Sequence, residues 1–79
     1  MEDIYVKKYW EEEGVLFYLH FRGHEAVRQI EIIDGEVKKI SLDNPVVGDS
    51  MLYDQSFEDL DLVQTDFISE KDFEVIWES

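Results

Sequence analysis

His20, His24 and Glu25 are the residues whose types and spacing come closest to chemistry in this chain. Two histidines four apart on a helix can share a metal ion, and a histidine beside a carboxylate can serve as a general acid–base pair. Their setting argues against both uses. Val15 to Arg22 alternates as a strand and Gly23 turns the chain, so the two imidazoles do not share a helix face. Nothing beyond Arg22 and Arg28 is at hand to clamp a substrate. Asp59, Asp61 and Asp66 invite a calcium reading, but they are interleaved with leucine and lack the central glycine and closing glutamate of an EF-hand loop. There is no phosphate-binding glycine loop, no nucleophile elbow and no cysteine. No catalytic residue, metal ligand or cofactor is therefore assigned. The expectation is a binding protein rather than an enzyme; a small enzyme using His20, His24 or Glu25, or a subunit of a larger assembly, are the readings from other classes.

The carboxylates make a stronger case. Twenty acids against seven bases give a net charge of −13 over 79 residues. The imbalance is lopsided: residues 1–42 hold nine acids and six bases, whereas residues 43–79 hold eleven acids and Lys71 alone. Such a field repels nucleic acid and anionic membranes and attracts basic proteins. Within Asp49 to Asp66 six carboxylates occur with no Lys or Arg, yet Met51, Leu52, Tyr53, Phe57, Leu60, Leu62 and Val63 lie between them. A disordered acidic tail does not hold so many large apolar groups, so this is expected to be a folded acidic surface pinned to a core. Asp49, Asp54, Glu58, Asp59, Asp61 and Asp66 are the candidate partner-binding charges, with Tyr53 as the amphipathic anchor. The expected partner is a basic protein, with no direct contact to nucleic acid or membrane.

The elements that must position these residues read as a single α+β domain over 1–79. Four strands are expected, at 1–10, 15–22, 26–33 and 36–42, forming an antiparallel meander with a short helix and a C-terminal helix packed on one face. Gly14 supplies positive φ after the run Glu11-Glu12-Glu13. Asp34-Gly35 is a strong two-residue hairpin signal and sets Ile33 opposite Glu36, Ile32 opposite Val37, and Glu31 opposite Lys38 as an ion pair. Arg28 falls on the face of Ile30 and Ile32, where its stem can pack while its guanidinium reaches a carboxylate at the sheet margin. Pro45 ends the sheet, and a long connection pivots on Gly48. Ser56 is the expected cap of a short helix over 57–62, with Asp59 as capping-box partner. Ser69 caps the last helix, whose Phe73, Ile76 and Trp77 form one apolar stripe. The chain opens Met-Glu-Asp without a basic stretch and contains nothing near the ~20 apolar residues that cross a bilayer. With the lack of cysteine, that makes the cytoplasm the expected location.

Taken together, Tyr9-Trp10, the run Val27-Arg28-Gln29-Ile30-Glu31-Ile32-Ile33-Asp34-Gly35, the piece Ser56-Phe57-Glu58-Asp59-Leu60 and the closing Ile68 to Trp77 resemble a family of small uncharacterised bacterial domains. Its members resemble candidate immunity proteins of polymorphic toxin systems. The family has a proline-bearing approach to the short helix where this chain has Leu52-Tyr53-Asp54-Gln55. The resemblance implies no catalytic residues. It implies an inhibitor that neutralises a basic, nuclease-like toxin; a nucleic-acid mimic that antagonises a phage-defence or DNA-binding enzyme is the alternative.

A charge of −13 on so small a domain also has a consequence for stability. Self-repulsion should be relieved as salt rises through ~0.1 M, where the Debye length is about 10 Å, and the melting temperature should rise with it. A Tm that stays flat from low to moderate salt would show that the carboxylates are compensated within the fold.

Overall fold

Asp34 and Gly35 both adopt positive φ, 50° and 84°, the backbone that a two-residue hairpin turn needs to match strand twist. The computed structural model describes Asp3 to Ser79; Met1 and Glu2, which open the expected first strand, lie outside the described residues. Around that turn Ile33 pairs with Glu36, Ile32 with Val37 and Glu31 with Lys38, the register the turn predicts. The four long strands are β1 (Asp3–Trp10), β2 (Val15–Arg22), β3 (Glu25–Ile33) and β4 (Glu36–Ser41), each antiparallel to the next. The α+β antiparallel expectation holds.

Two short pieces extend it. Val46–Val47 (β5) and Ser50–Met51 (β6) make a small separate ribbon that turns at Gly48, φ 60°, where a plain connection was expected. Phe67–Ile68 (β7) then pairs with Tyr5 and Val6, adding a fifth strand and giving the order β4-β3-β2-β1-β7. β4 and the two-residue β7 are the edges of this sheet. The helix α1 (Glu70–Trp77) follows at once, with Ser69 Oγ accepting the Asp72 N–H at 3.1 Å as its cap.

The sheet is covered on both faces, and this is where the structure departs from helices on one side only. On one face Tyr5, Tyr18 and Ile30 pack with Phe73, Ile76 and Trp77 of α1. On the other, Val6, Leu19, Phe21 and Ala26 pack beneath Leu52, Tyr53, Phe57, Leu60 and Leu62. The short helix expected over 57–62 is a single 3-10 turn, Phe57–Asp59, lying across this second face. Two Asp-Leu steps, at 59–60 and 61–62, alternate charge outward and leucine inward, a pattern that suits extended backbone better than helix.

Adjacent residues in β3 fasten the two covers. Arg28 points under α1, where two nitrogens of its guanidinium donate to both oxygens of Glu74 at 3.0 and 2.6 Å. Gln29 points the other way and is 3% exposed. Its Oε1 accepts the Tyr53 N–H at 2.7 Å, and its Nε2 donates to the Met51 carbonyl at 3.2 Å and to Glu31 Oε2 at 2.6 Å. The other Glu31 oxygen accepts from Ser50 Oγ at 2.8 Å. Glu31 is therefore not the partner of Lys38 in a direct ion pair; Ser50 stands between them, with Lys38 Nζ 3.4 Å from its hydroxyl. Chain reversal at Gly48 brings Ser50 into that gap, which cross-strand register alone does not reveal.

Gln29→Ala should destabilise the domain by about 2–6 kcal/mol, since each buried polar group left unpaired costs about 1–3 kcal/mol and the Tyr53 N–H and a Glu31 oxygen both lose their partners, as does the Met51 carbonyl nearer the surface. The midpoint of urea unfolding measures this. A loss below ~1 kcal/mol would mean that the segment holds its place by apolar contact alone.

Candidate functional site

The second cover is also the acidic segment. Its apolar side chains turn inward onto Leu19 and Phe21, so its carboxylates are driven outward. Asp49 sits in the β5–β6 turn and is exposed, as are Asp54, Glu58, Asp59 and Asp61. The segment is held in place rather than loose. Phe57 N–H donates to the His24 carbonyl at 2.9 Å, and Phe57 and Tyr53 meet the Phe21 ring edge-on at 5.2 and 6.0 Å between centroids.

The candidate residues divide by how much of each is already used. Asp59 accepts the Ser56 N–H at 3.3 Å and closes the expected capping box, leaving its other oxygen outward. Glu58 meets His24, with 3.1 Å between Oε1 and Nδ1, in a pair open to solvent. Asp54 is met by the Gln55 amide at 3.2 Å. Asp61 contributes its carbonyl to Lys8 Nζ at 2.8 Å and keeps its carboxylate free of that contact. Asp66 differs from the rest: it is half-buried, accepts the Val63 N–H at 2.9 Å and lies 3.5 Å from Lys8 Nζ. It braces the segment against β1 more than it faces outward. Tyr53 is half-buried; burial, then the charges of Asp59 and Asp54, push its phenol above the ordinary range.

Sequence reasoning did not find the cleft beside these acids. It measures about 470 Å³, and Trp10, Phe17 and Leu19 of the sheet face Leu52 and Leu60 of the segment across it. Trp10 ends β1 and is 48% exposed, with its ring 6.0 Å from that of Phe17. The only signal available was an indole placed just before an acidic turn.

His20 and His24 are separated by the sheet. His24 belongs to the acidic side through Glu58, whereas His20 is 2% exposed beneath α1, stacked on Tyr5 at 4.3 Å and edge-on to Phe73 at 5.8 Å. Arg28 Nε donates to His20 Nδ1 at 2.9 Å, which fixes that nitrogen as an acceptor and places the proton on Nε2. Nε2 lies 3.3 Å from Asp3 Oδ2, but in poor alignment, so it makes no hydrogen bond. Above the same guanidinium stand the rings of Phe73 and Trp77, at 4.8 and 5.1 Å. Hydrogen bonding to Arg28 holds the Glu74 carboxyl below its usual range, and the same bonds raise the already high pKa of Arg28. The arrangement is an internal fastener; no imidazole edge in it faces solvent. Among the described residues, no three His, Asp or Glu side chains gather closely enough to hold a metal ion, and no helix is long and apolar enough to cross a membrane.

Compared with protein-family models, curated proteins and solved structures, the chain matches none of them. What the fold and surface define is an α+β domain with one acidic, aromatic-studded face.

Burial, then the charge of Arg28, lowers the His20 pKa. Below about pH 6.5 the unfolded chain takes up a proton that folded His20 refuses, so stability should fall as pH falls through that window, with a slope of at most about 1.4 kcal/mol per pH unit. His20→Asn keeps an acceptor for Arg28 and cannot titrate. The difference in unfolding free energy between the native chain and this variant should therefore shrink or reverse between pH 7 and 5. A difference constant over that range would mean that His20 accepts its proton in the folded state.

Proposed function

We propose that this chain is an inhibitor-type binding protein, an immunity protein that neutralises a basic, nuclease-like toxin in the cytoplasm through its acidic segment. The observation that bears most weight is the exposure of Asp49, Asp54, Glu58, Asp59 and Asp61 on a segment pinned to the sheet by Gln29 and by the aromatic edge contacts to Phe21. A held surface of like charges loses little conformational entropy on binding and steers a cationic partner toward it. Among the described residues, none of these five carboxylates pairs with a Lys or Arg side chain, and Glu58 alone meets an imidazole, that of solvent-open His24, so the field is left largely uncompensated. The resemblance to immunity-type domains points the same way. Competition with nucleic acid for the partner's phosphate-binding groove is what a nucleic-acid mimic would add, and that feature separates the two kinds of antagonist.

The test replaces Asp54, Glu58, Asp59 and Asp61 by Asn or Gln together. Interfacial charge pairs couple by about 1.5–7 kcal/mol, so loss of several should abolish retention of a basic protein captured at low salt from the source organism's lysate. The fold should survive, because an Asn at position 59 can still accept the Ser56 N–H. Unchanged retention by a folded variant would sink the site assignment.

A further inference from the structure

We propose that the cleft beside the acidic segment seats one large apolar side chain of the partner, a Trp, Phe or Leu flanked on both sides by Lys or Arg. This deepens the reading of the acidic face as a partner surface and rests on it. The cleft, about 470 Å³, has ample room for a large side chain, and its apolar lining includes Leu19 and Phe17 of β2, Trp10 of β1, and Leu52 and Leu60 of the segment. The two buried polar side chains of its lining, Gln29 and Glu31, are already engaged. Gln29 uses its amide oxygen on Tyr53 and its nitrogen on Met51 and Glu31, while both oxygens of Glu31 are taken by Gln29 and Ser50. A polar occupant would find those groups occupied, and an apolar one gains from burial.

Charge at the mouth decides what surrounds that apolar group. Asp54 lines the cleft, Asp61 follows Leu60, and Glu11-Glu12-Glu13 follows Trp10 in the β1–β2 turn. Lys8 is the one cationic side chain in the lining, and its ammonium is turned to the Asp61 carbonyl and to Asp66. An apolar seat bordered by Asp54, with further carboxylates next in sequence to its lining residues, is the complement of an apolar residue set among cations. It also has the anatomy of an interface hot spot, a desolvated pocket within a charged rim.

The experiment titrates the full chain with three peptide amides, Lys-Arg-Trp-Arg-Lys, Lys-Arg-Ala-Arg-Lys and Gly-Ser-Trp-Ser-Gly, followed by amide and indole NMR shifts. The basic Trp peptide is expected to bind about tenfold tighter than the basic Ala peptide, moving the Trp10 indole and the Leu19 and Leu60 amides. Trp10→Ala, at an exposed position, should reduce that preference below about twofold with the amide spectrum otherwise native. Equal affinity of the two basic peptides, with shifts confined to the acidic residues, would overturn the cleft while leaving the acidic surface standing. Binding of the neutral Trp peptide as tight as that of the basic one would overturn the cationic flanks, and with them the preference for a basic partner. No binding by any peptide at millimolar concentration would overturn the seat itself.

Discussion

A four-stranded sheet that is apolar on both faces must be covered twice, and in this chain only the half after β4 is left to do it. The helix α1 is eight residues long and shields one face with Phe73, Ile76 and Trp77. The other face falls to a segment with little regular structure, which buries Leu52, Tyr53, Phe57, Leu60 and Leu62. That division dictates the surface. A stretch whose apolar side chains are committed inward can stay solvated only through what it turns outward, and here those residues are carboxylates. The charge of the segment and its role in the core are two sides of the same alternation.

Buried polar contacts make the two covers specific. Arg28 and Gln29 are neighbours in β3, and strand geometry sends them to opposite faces. Arg28 selects α1 through a two-pronged contact with Glu74 under the rings of Phe73 and Trp77. Gln29 selects the acidic segment through the backbone at Met51 and Tyr53. Apolar burial alone tolerates sliding of a cover over the sheet. A planar guanidinium matched to one carboxylate, and an amide matched to one N–H and one carbonyl, define where each cover stops.

Much of this was legible in the sequence because it is local. Asp34-Gly35 states a hairpin and its register within two residues, and Ser56 and Ser69 state their caps within four. What escaped notice depends on distance along the chain. β7 is two residues long and shows no periodicity; it exists because Tyr5 and Val6 offer it an edge. The parity of Arg28 was visible, but not that Glu74 would arrive 46 residues later, nor that His20 would lie beside it. Glu31 and Lys38 face one another in register, yet Ser50 enters between them from the far side of a turn. The outward carboxylates followed from type and spacing, whereas the cleft needed Trp10, Leu19 and Leu60 brought together from three segments.

The pairing of β7 with β1 joins the last strand to the first, while every other neighbour in the long sheet is the next strand in sequence. The three hairpins of the meander are contacts of short loop closure and can form as the chain emerges, N-terminus first. The fifth strand and both covers cannot. Until residues beyond Pro45 follow, a nascent meander would present two uncovered apolar faces at once. That intermediate has two open edges, β1 and β4, and at β4 Lys38 and Lys39 interrupt what would otherwise be an invitation to pair with another chain. Two of the chain's seven basic residues thus stand guard over one edge of the half-made sheet.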